Sequence, residues 1–157
     1  TFPPYPYPEM RLAGLYLLYA EALNEANATP GDDVYKYINL VRARAGLPTV
    51  QYSWTHFSRN PTKYTTQSGM REIIQRERSI ELCFEGQRYW DLLRWKRAAT
   101  ELTGNITGWD RSGRTPELFY RELTYYTRHF VAPRDYLFPL MDNDLLNNPN
   151  LVQNPGW

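Results

Sequence analysis

A chain of 157 residues suffices for one ordinary domain whose apolar core needs neither disulfides nor metal to hold it. Eighteen Lys and Arg against seventeen Asp and Glu give a formal charge of +1, too weak a basic field to retain nucleic acid or an anionic membrane through counterion release. Cys83 is the only cysteine, which excludes an intramolecular disulfide, a CxxC redox pair and a Cys-rich zinc site. The longest apolar run, residues 12–20, falls far short of the roughly 20 residues that span a bilayer. Aromatic residues make up 15% of the chain, more than a small core hides, so some rings are expected at the surface.

In chain order, Phe2 to Pro8 carry four prolines in seven residues, which forbids helix and predicts an extended leader. Leu12, Leu15, Tyr16, Tyr19, Ala22, Leu23 and Ala26 recur at helical spacing and predict a helix over 10–27. Thr29-Pro30-Gly31-Asp32 reads as a helix start, and Val34, Tyr37, Ile38, Val41 and Ala45 predict a second helix over 32–45, stopped by Gly46. Two helices so joined form a hairpin of the kind stacked in tetratricopeptide repeats. Leu17, Leu18 and Leu40 lie outside its main stripes and are expected to meet further repeats.

Residues 48–69 show no period and read as a long irregular loop bearing Tyr52, Trp54, His56, Phe57 and Tyr64. Helices are predicted again over 70–85, through Ile73, Ile74, Ile80 and Phe84, and over 88–99, through Tyr89, Trp90, Leu92, Leu93 and Trp95. In that last helix Tyr89, Trp90 and Trp95 are expected to pack in the core. Three glycines around Trp109 make 103–113 a loop, and 118–131 reads equally as a short helix or an aromatic strand. The Asn- and Pro-rich end is expected to lie extended, anchored by Leu151 and Trp157. The fold class is thus all-α: a tetratricopeptide-like hairpin plus further helices with long irregular loops.

Three stretches resemble the SusD/RagB family, the outer-membrane nutrient-binding lipoproteins of Bacteroidetes. They are R-L-A-G-L-Y-L-L-Y-A-E-A-L-N-E-A from Arg11, running on to I-N-L-V-R-A-R-A-G-L-P from Ile38; R-E-R-S-I-E-L-C-F-E-G-Q-R-Y-W-D-L-L-R-W from Arg76; and Y-L-F-P-L at Tyr136 with N-P-N-L-V-Q-N-P-G-W from Asn148. Gly14, where the family usually has Glu, and Phe138-Pro139-Leu140-Met141, in place of Pro-Ile-Pro, depart from its pattern. A whole member is longer, so residues 1–157 are expected to form a single unit, the C-terminal part of such a protein, with a lipidated cysteine and further hairpins in the missing N-terminal part. The resemblance implies a non-enzymatic role at the cell surface: a lid on a SusC-like TonB-dependent transporter that captures an oligosaccharide, or in RagB-type members a peptide. A helical interaction scaffold with no small ligand is the alternative from another class.

No motif carries the family's ligand contacts onto this sequence, so the candidates come from the residues. Trp54, Trp109, Tyr52 and Tyr64 lie in polar segments without helical period, where an aromatic face is free to stack on the C–H face of a sugar. The competing reading is that each ring pins its own loop. Glu77, Glu81 and Glu85, spaced four apart, resemble the paired carboxylates of glycoside hydrolases. They repel one another unless cations intervene, and Arg42, Arg44 and Arg88 are placed to do so, which makes a structural ion-pair network the preferred reading. His56 and His129 have no ligand partner at helical spacing, and Asp142-Asn143-Asp144 lacks the glycine and glutamate of a calcium loop. No metal, cofactor or nucleic acid is expected.

Overall fold

The computed structural model describes residues 10–157, so the expected proline-rich leader lies outside the described residues. The chain divides into two compact units, one ending at Arg88 and the other beginning at Tyr89. The first contains α1 (Leu12–Ala26), α2 (Asp32–Arg44), α3 (Val50–Phe57), a 3₁₀ turn (Lys63–Thr65) and α4 (Gln67–Glu81). The second contains most of α5 (Gln87–Arg94), then α6 (Ala98–Glu101), β1 (Gly104–Trp109), α7 (Pro116–Phe119), β2 (Glu122–Arg128), a 3₁₀ turn (Arg134–Tyr136) and α8 (Asp142–Asn147). Among the described residues helix accounts for 53% and strand for 9%, so the protein is mostly helical, with one small sheet that the periodicity does not announce.

In the first unit α1 packs between α2 and α4. Ala13, Leu17 and Ala20 of α1, Val34, Ile38 and Val41 of α2, Val50 of α3, and Met70, Ile73 and Ile74 of α4 close one apolar core. The buried side of α1 is not the stripe that apolar counting selects. Leu12, Leu15 and Tyr19 are exposed, while Leu17, expected to await another repeat, is fully buried. The reason is that the buried side also carries Glu21 and Asn24, so hydrophobicity alone points to the wrong face. On α4, Ile80 is likewise exposed, and Phe84 lies beyond the helix, fully exposed in a left-handed backbone (φ 66°).

α2 starts at Asp32 with Gly31 as its cap, two residues later than a Thr29 cap would place it. Asp32 and Asp33 in the first turn and Arg42 and Arg44 in the last complement its dipole. The stretch expected to be irregular contains α3, capped by the Thr49 hydroxyl, which accepts from the Tyr52 amide at 3.2 Å. Eight residues with only Val50 buried are too few to show a period. α4 is capped in the same way by Thr66. Its first turn lies so close to the preceding 3₁₀ turn that a Cβ on Gly69 would collide with the Lys63 carbonyl oxygen.

The second unit replaces the expected 103–113 loop with β1, antiparallel to β2 in the register Gly104↔Arg128, Ile106↔Tyr126, Thr107↔Thr124 and Trp109↔Glu122. A bulge between Ile106 and Thr107 leaves Tyr125 unpaired. Two strands, exposed at most positions and containing two glycines, leave no alternation to read. The segment 118–131 takes both of its candidate forms in succession, the end of α7 and then β2. Trp90, expected in the core, is 56% exposed. The buried positions of α5 are Asp91 and Leu92, and the Trp90 ring lies edge-to-face with Tyr89 at 5.4 Å and tilted against Phe138 at 6.0 Å. Asp142 opens α8, and Trp157 donates its indole N–H to the carbonyls of Arg134 (3.2 Å) and Leu137 (3.1 Å).

Candidate functional site

The three spaced glutamates each meet arginine. Glu77 accepts from Arg42 of α2, a pair whose side chains are only 10% and 15% exposed. Glu81 is joined by Arg44 and, at 2.9 Å, by Arg11. Arg11 also grips Glu85 with a fork, Nε to Oε2 at 3.0 Å and Nη2 to Oε1 at 2.6 Å. The Glu85 hydrogen bond is the largest reason that the Arg11 guanidinium holds its proton more tightly than usual. Arg88 is half-buried and also engaged. Arg11 escapes sequence reasoning because its partners lie 70 or more positions away; only its place at the start of a family motif marks it.

Arg42 does more than hold Glu77. Its Nη2 donates to Ser53 Oγ at 2.8 Å and its Nε to the Pro48 carbonyl at 2.8 Å, so one side chain ties α2, α3 and α4 together. Beside this tie opens a cavity of about 380 Å³, walled by Trp54, Phe57, Ile73 and Ile80, with Arg76 and Glu77 supplying charge. Trp54 is half-buried, packed against the core, with the Lys63 ammonium 5.3 Å from its ring centroid. Tyr64 points elsewhere: it packs on the core, its ring edge-on to Tyr35 at 6.0 Å and its carbonyl accepting from the Tyr35 hydroxyl. Tyr52 is 49% exposed and stacks on His56 at 4.0 Å. Of the three candidates in this unit, only Trp54 lines the cavity.

Trp109 belongs to the second unit and is 57% exposed. Its ring meets Tyr120 edge-on at 5.1 Å and Phe119 at 5.9 Å. The unpaired Tyr125 of the bulge lies over Gly108 and donates its hydroxyl to the Trp109 carbonyl at 2.7 Å. The turn that follows is fixed by Asp110, whose carboxylate accepts from the Ser112 amide (3.0 Å), the Ser112 hydroxyl (2.5 Å) and Arg121 (2.6 Å). These bonds, Ser112 first, hold the Asp110 carboxyl below the ordinary aspartate range. A Cβ on Gly113 would come within 2.5 Å of Leu118 and Phe119 backbone atoms, so glycine there lets α7 close in and deliver Phe119 to Trp109. Phe119, Tyr120 and Tyr125 are the residues that sequence reasoning passed over; the aromatic-rich segment 118–131 that holds them was the signal. Among the described residues no cluster of three or more His, Cys, Asp or Glu is arranged to hold a metal ion, and no helix is long and apolar enough to cross a membrane.

The SusD family profile matches residues 4–157. The chain belongs to the SusD family. It is 36% identical over 152 residues to SusD-like protein P2 of Formosa agariphila, covering 96% of this chain and 26% of that protein. SusD-like protein P38 of the same organism is 30% identical over 144 residues, covering 92% and 23%. Among solved structures, a SusD-like protein from Bacteroides fragilis matches with a TM-score of 0.72 at 28% identity, over 98% of this chain and 28% of that one. A SusD homolog from Bacteroides thetaiotaomicron matches with a TM-score of 0.61 at 33% identity, over 94% and 26%. The chain therefore spans about a quarter of the length of these SusD relatives. In this chain the Gly14 carbonyl accepts from Arg78 at 3.2 Å.

Proposed function

We propose that the chain is part of a cell-surface glycan-binding protein, which captures oligosaccharides for import through a SusC-like TonB-dependent transporter in the outer membrane. The whole protein is lipid-anchored through its N-terminal portion. Membership of the SusD family supports this reading, and the observation that carries it is Trp54 walling a cavity of about 380 Å³, within the roughly 300–1,000 Å³ range of small-ligand sites. An indole face with hydroxyl and guanidinium groups nearby suits a pyranose, which offers C–H groups on its faces and hydroxyls at its edge. Trp109, half exposed among Phe119 and Tyr120, is a second platform of the same chemistry. Capture rather than hydrolysis fits the glutamates, since Glu77, Glu81 and Glu85 are each paired with arginine.

A glycan array read for both retention and product tests the reading: binding without product is expected, and release of shortened sugar would make the protein a hydrolase. Calorimetric titration of Trp54→Ala and Trp109→Ala with a retained glycan, on variants that keep their circular dichroism, then locates the platform. Unchanged affinity in both would remove the two tryptophans from the site. An array silent to sugars, with a peptide library retained, would replace the glycan by a peptide of RagB type.

A further inference from the structure

The cavity beside Trp54 has an unbalanced charge. Of its ionic groups, Glu77 is neutralised by Arg42, and Arg42 also donates to Ser53 and to the Pro48 carbonyl. Arg76, one position before Glu77 on α4, lines the same cavity. Among the described residues its guanidinium has no carboxylate partner; only its backbone carbonyl is engaged, by the Ser79 hydroxyl at 2.8 Å. Glu72, one turn earlier on α4, is already held by Lys63 at 2.5 Å. The site thus combines an indole, three apolar walls and one uncommitted fork of N–H donors.

A neutral sugar has no use for that fork beyond an ordinary hydroxyl contact. A carboxylate does, because guanidinium matches its two oxygens with parallel, charge-assisted hydrogen bonds. From this geometry we infer that the Trp54 cavity selects acidic glycans, with the ring of a uronic acid unit against Trp54 and its carboxylate on Arg76. The inference rests on the glycan reading above and narrows it to sugars bearing a carboxylate. The exposed position of Arg76 matters, since a charge-assisted contact there adds discrimination without the cost of stripping a buried ion of water.

The test compares a uronic-acid oligosaccharide with its carboxyl-reduced, neutral counterpart by calorimetry on the 157-residue chain. The acidic form is expected to bind about tenfold more tightly, in keeping with one charge-assisted contact at a partly solvated site. Arg76→Gln is expected to bring the two sugars to equal affinity, with the acidic one losing far more than the neutral one, which gives up at most an ordinary hydroxyl contact, and as an exposed substitution it keeps the fold. Arg59→Gln is the control for diffuse charge: Arg59 is exposed nearby but does not line the cavity, so its loss is expected to leave the preference intact. Equal binding of both sugars by the unaltered protein overturns the inference, as does a preference that survives Arg76→Gln or falls equally with Arg59→Gln. Retention of neutral glycans only would overturn the acidic selectivity and leave the glycan reading standing. Silence toward every glycan would remove both.

Discussion

The two units are held together by different means. The unit ending at Arg88 has ten apolar residues of four helices in a common core. In the unit beginning at Tyr89, Leu92 and Ala98 are the only buried apolar residues among those described. Its order comes instead from a bulged strand pair, the Asp110 turn and rings meeting edge to face. Side chains that need a fixed position can therefore be built on core packing, as Trp54 is, or on a close-fitting turn, as Trp109 is.

Substitutions separate the two. The largest effect is expected from Leu17→Ala, which empties a fully buried position and should cost about 2–5 kcal/mol in urea denaturation. A loss under about 1 kcal/mol would mean that the first unit is no better packed than the second. Glu77→Ala strands Arg42 at a site neither fully buried nor open, so a cost of about 1–3 kcal/mol is expected, between the values for buried and exposed pairs. A melting temperature that does not move would reduce the ion pairs to surface decoration.

Gly113→Ala tests the other unit. Forcing a Cβ against the Leu118 and Phe119 backbone should cost about 1–3 kcal/mol and speed amide exchange across residues 104–128, with the amides of α1 and α4 unaffected. Exchange rising equally in both units would show that they open together. Acid sharpens the same contrast. The folded-state pKa of Asp110 lies below its unfolded value, so its contribution is complete above the ordinary value of 3.8 and is lost as pH falls through the folded one. Amide shifts at Ser112 should therefore hold until below that ordinary value, and Asp110→Asn should abolish the transition. The smallest change is a gain: Gly14 sits in the first turn of α1, and a Cβ there would only touch Leu82 at 3.7 Å, so Gly14→Ala should stabilise the first unit by about 0.4–1 kcal/mol.

The sequence was most legible where helices are long. The extents of α1, α2 and α4 follow from capping and periodicity to within a few residues, since each has three or more turns over which a pattern accumulates. Which side of α1 is buried did not follow, because two of its five buried residues are polar and one of them, Asn24, bonds to Gln67, 43 positions along the chain. α3 and β1 were hidden by brevity and by glycine. Of the candidate rings, Trp54 and Trp109 were visible as isolated aromatics in polar sequence. What makes Trp54 the wall of a cavity is supplied by Ile73, Arg76 and Ile80, more than fifteen positions away, which no local pattern connects to it.

The polar residues along α1 have a consequence for how the helices align. Asn24 donates to the Gln67 carbonyl at 3.0 Å, and Gln67 donates back to the carbonyls of Asn24 and Asn27 at 3.1 and 2.8 Å. Glu25 meets Arg71, the Gly14 carbonyl meets Arg78, and Arg11 meets Glu81 and Glu85. These contacts run in opposite senses along α1 and α4, like teeth cut at unequal intervals. A seam of leucines alone tolerates slippage by a helical turn, about 5.4 Å, at little cost. Slipping this one would leave Arg78 and Asn24, both buried, facing apolar side chains. The polar seam therefore fixes the registration of α1 on α4, and with it the height at which α4 presents Arg76 to the cavity.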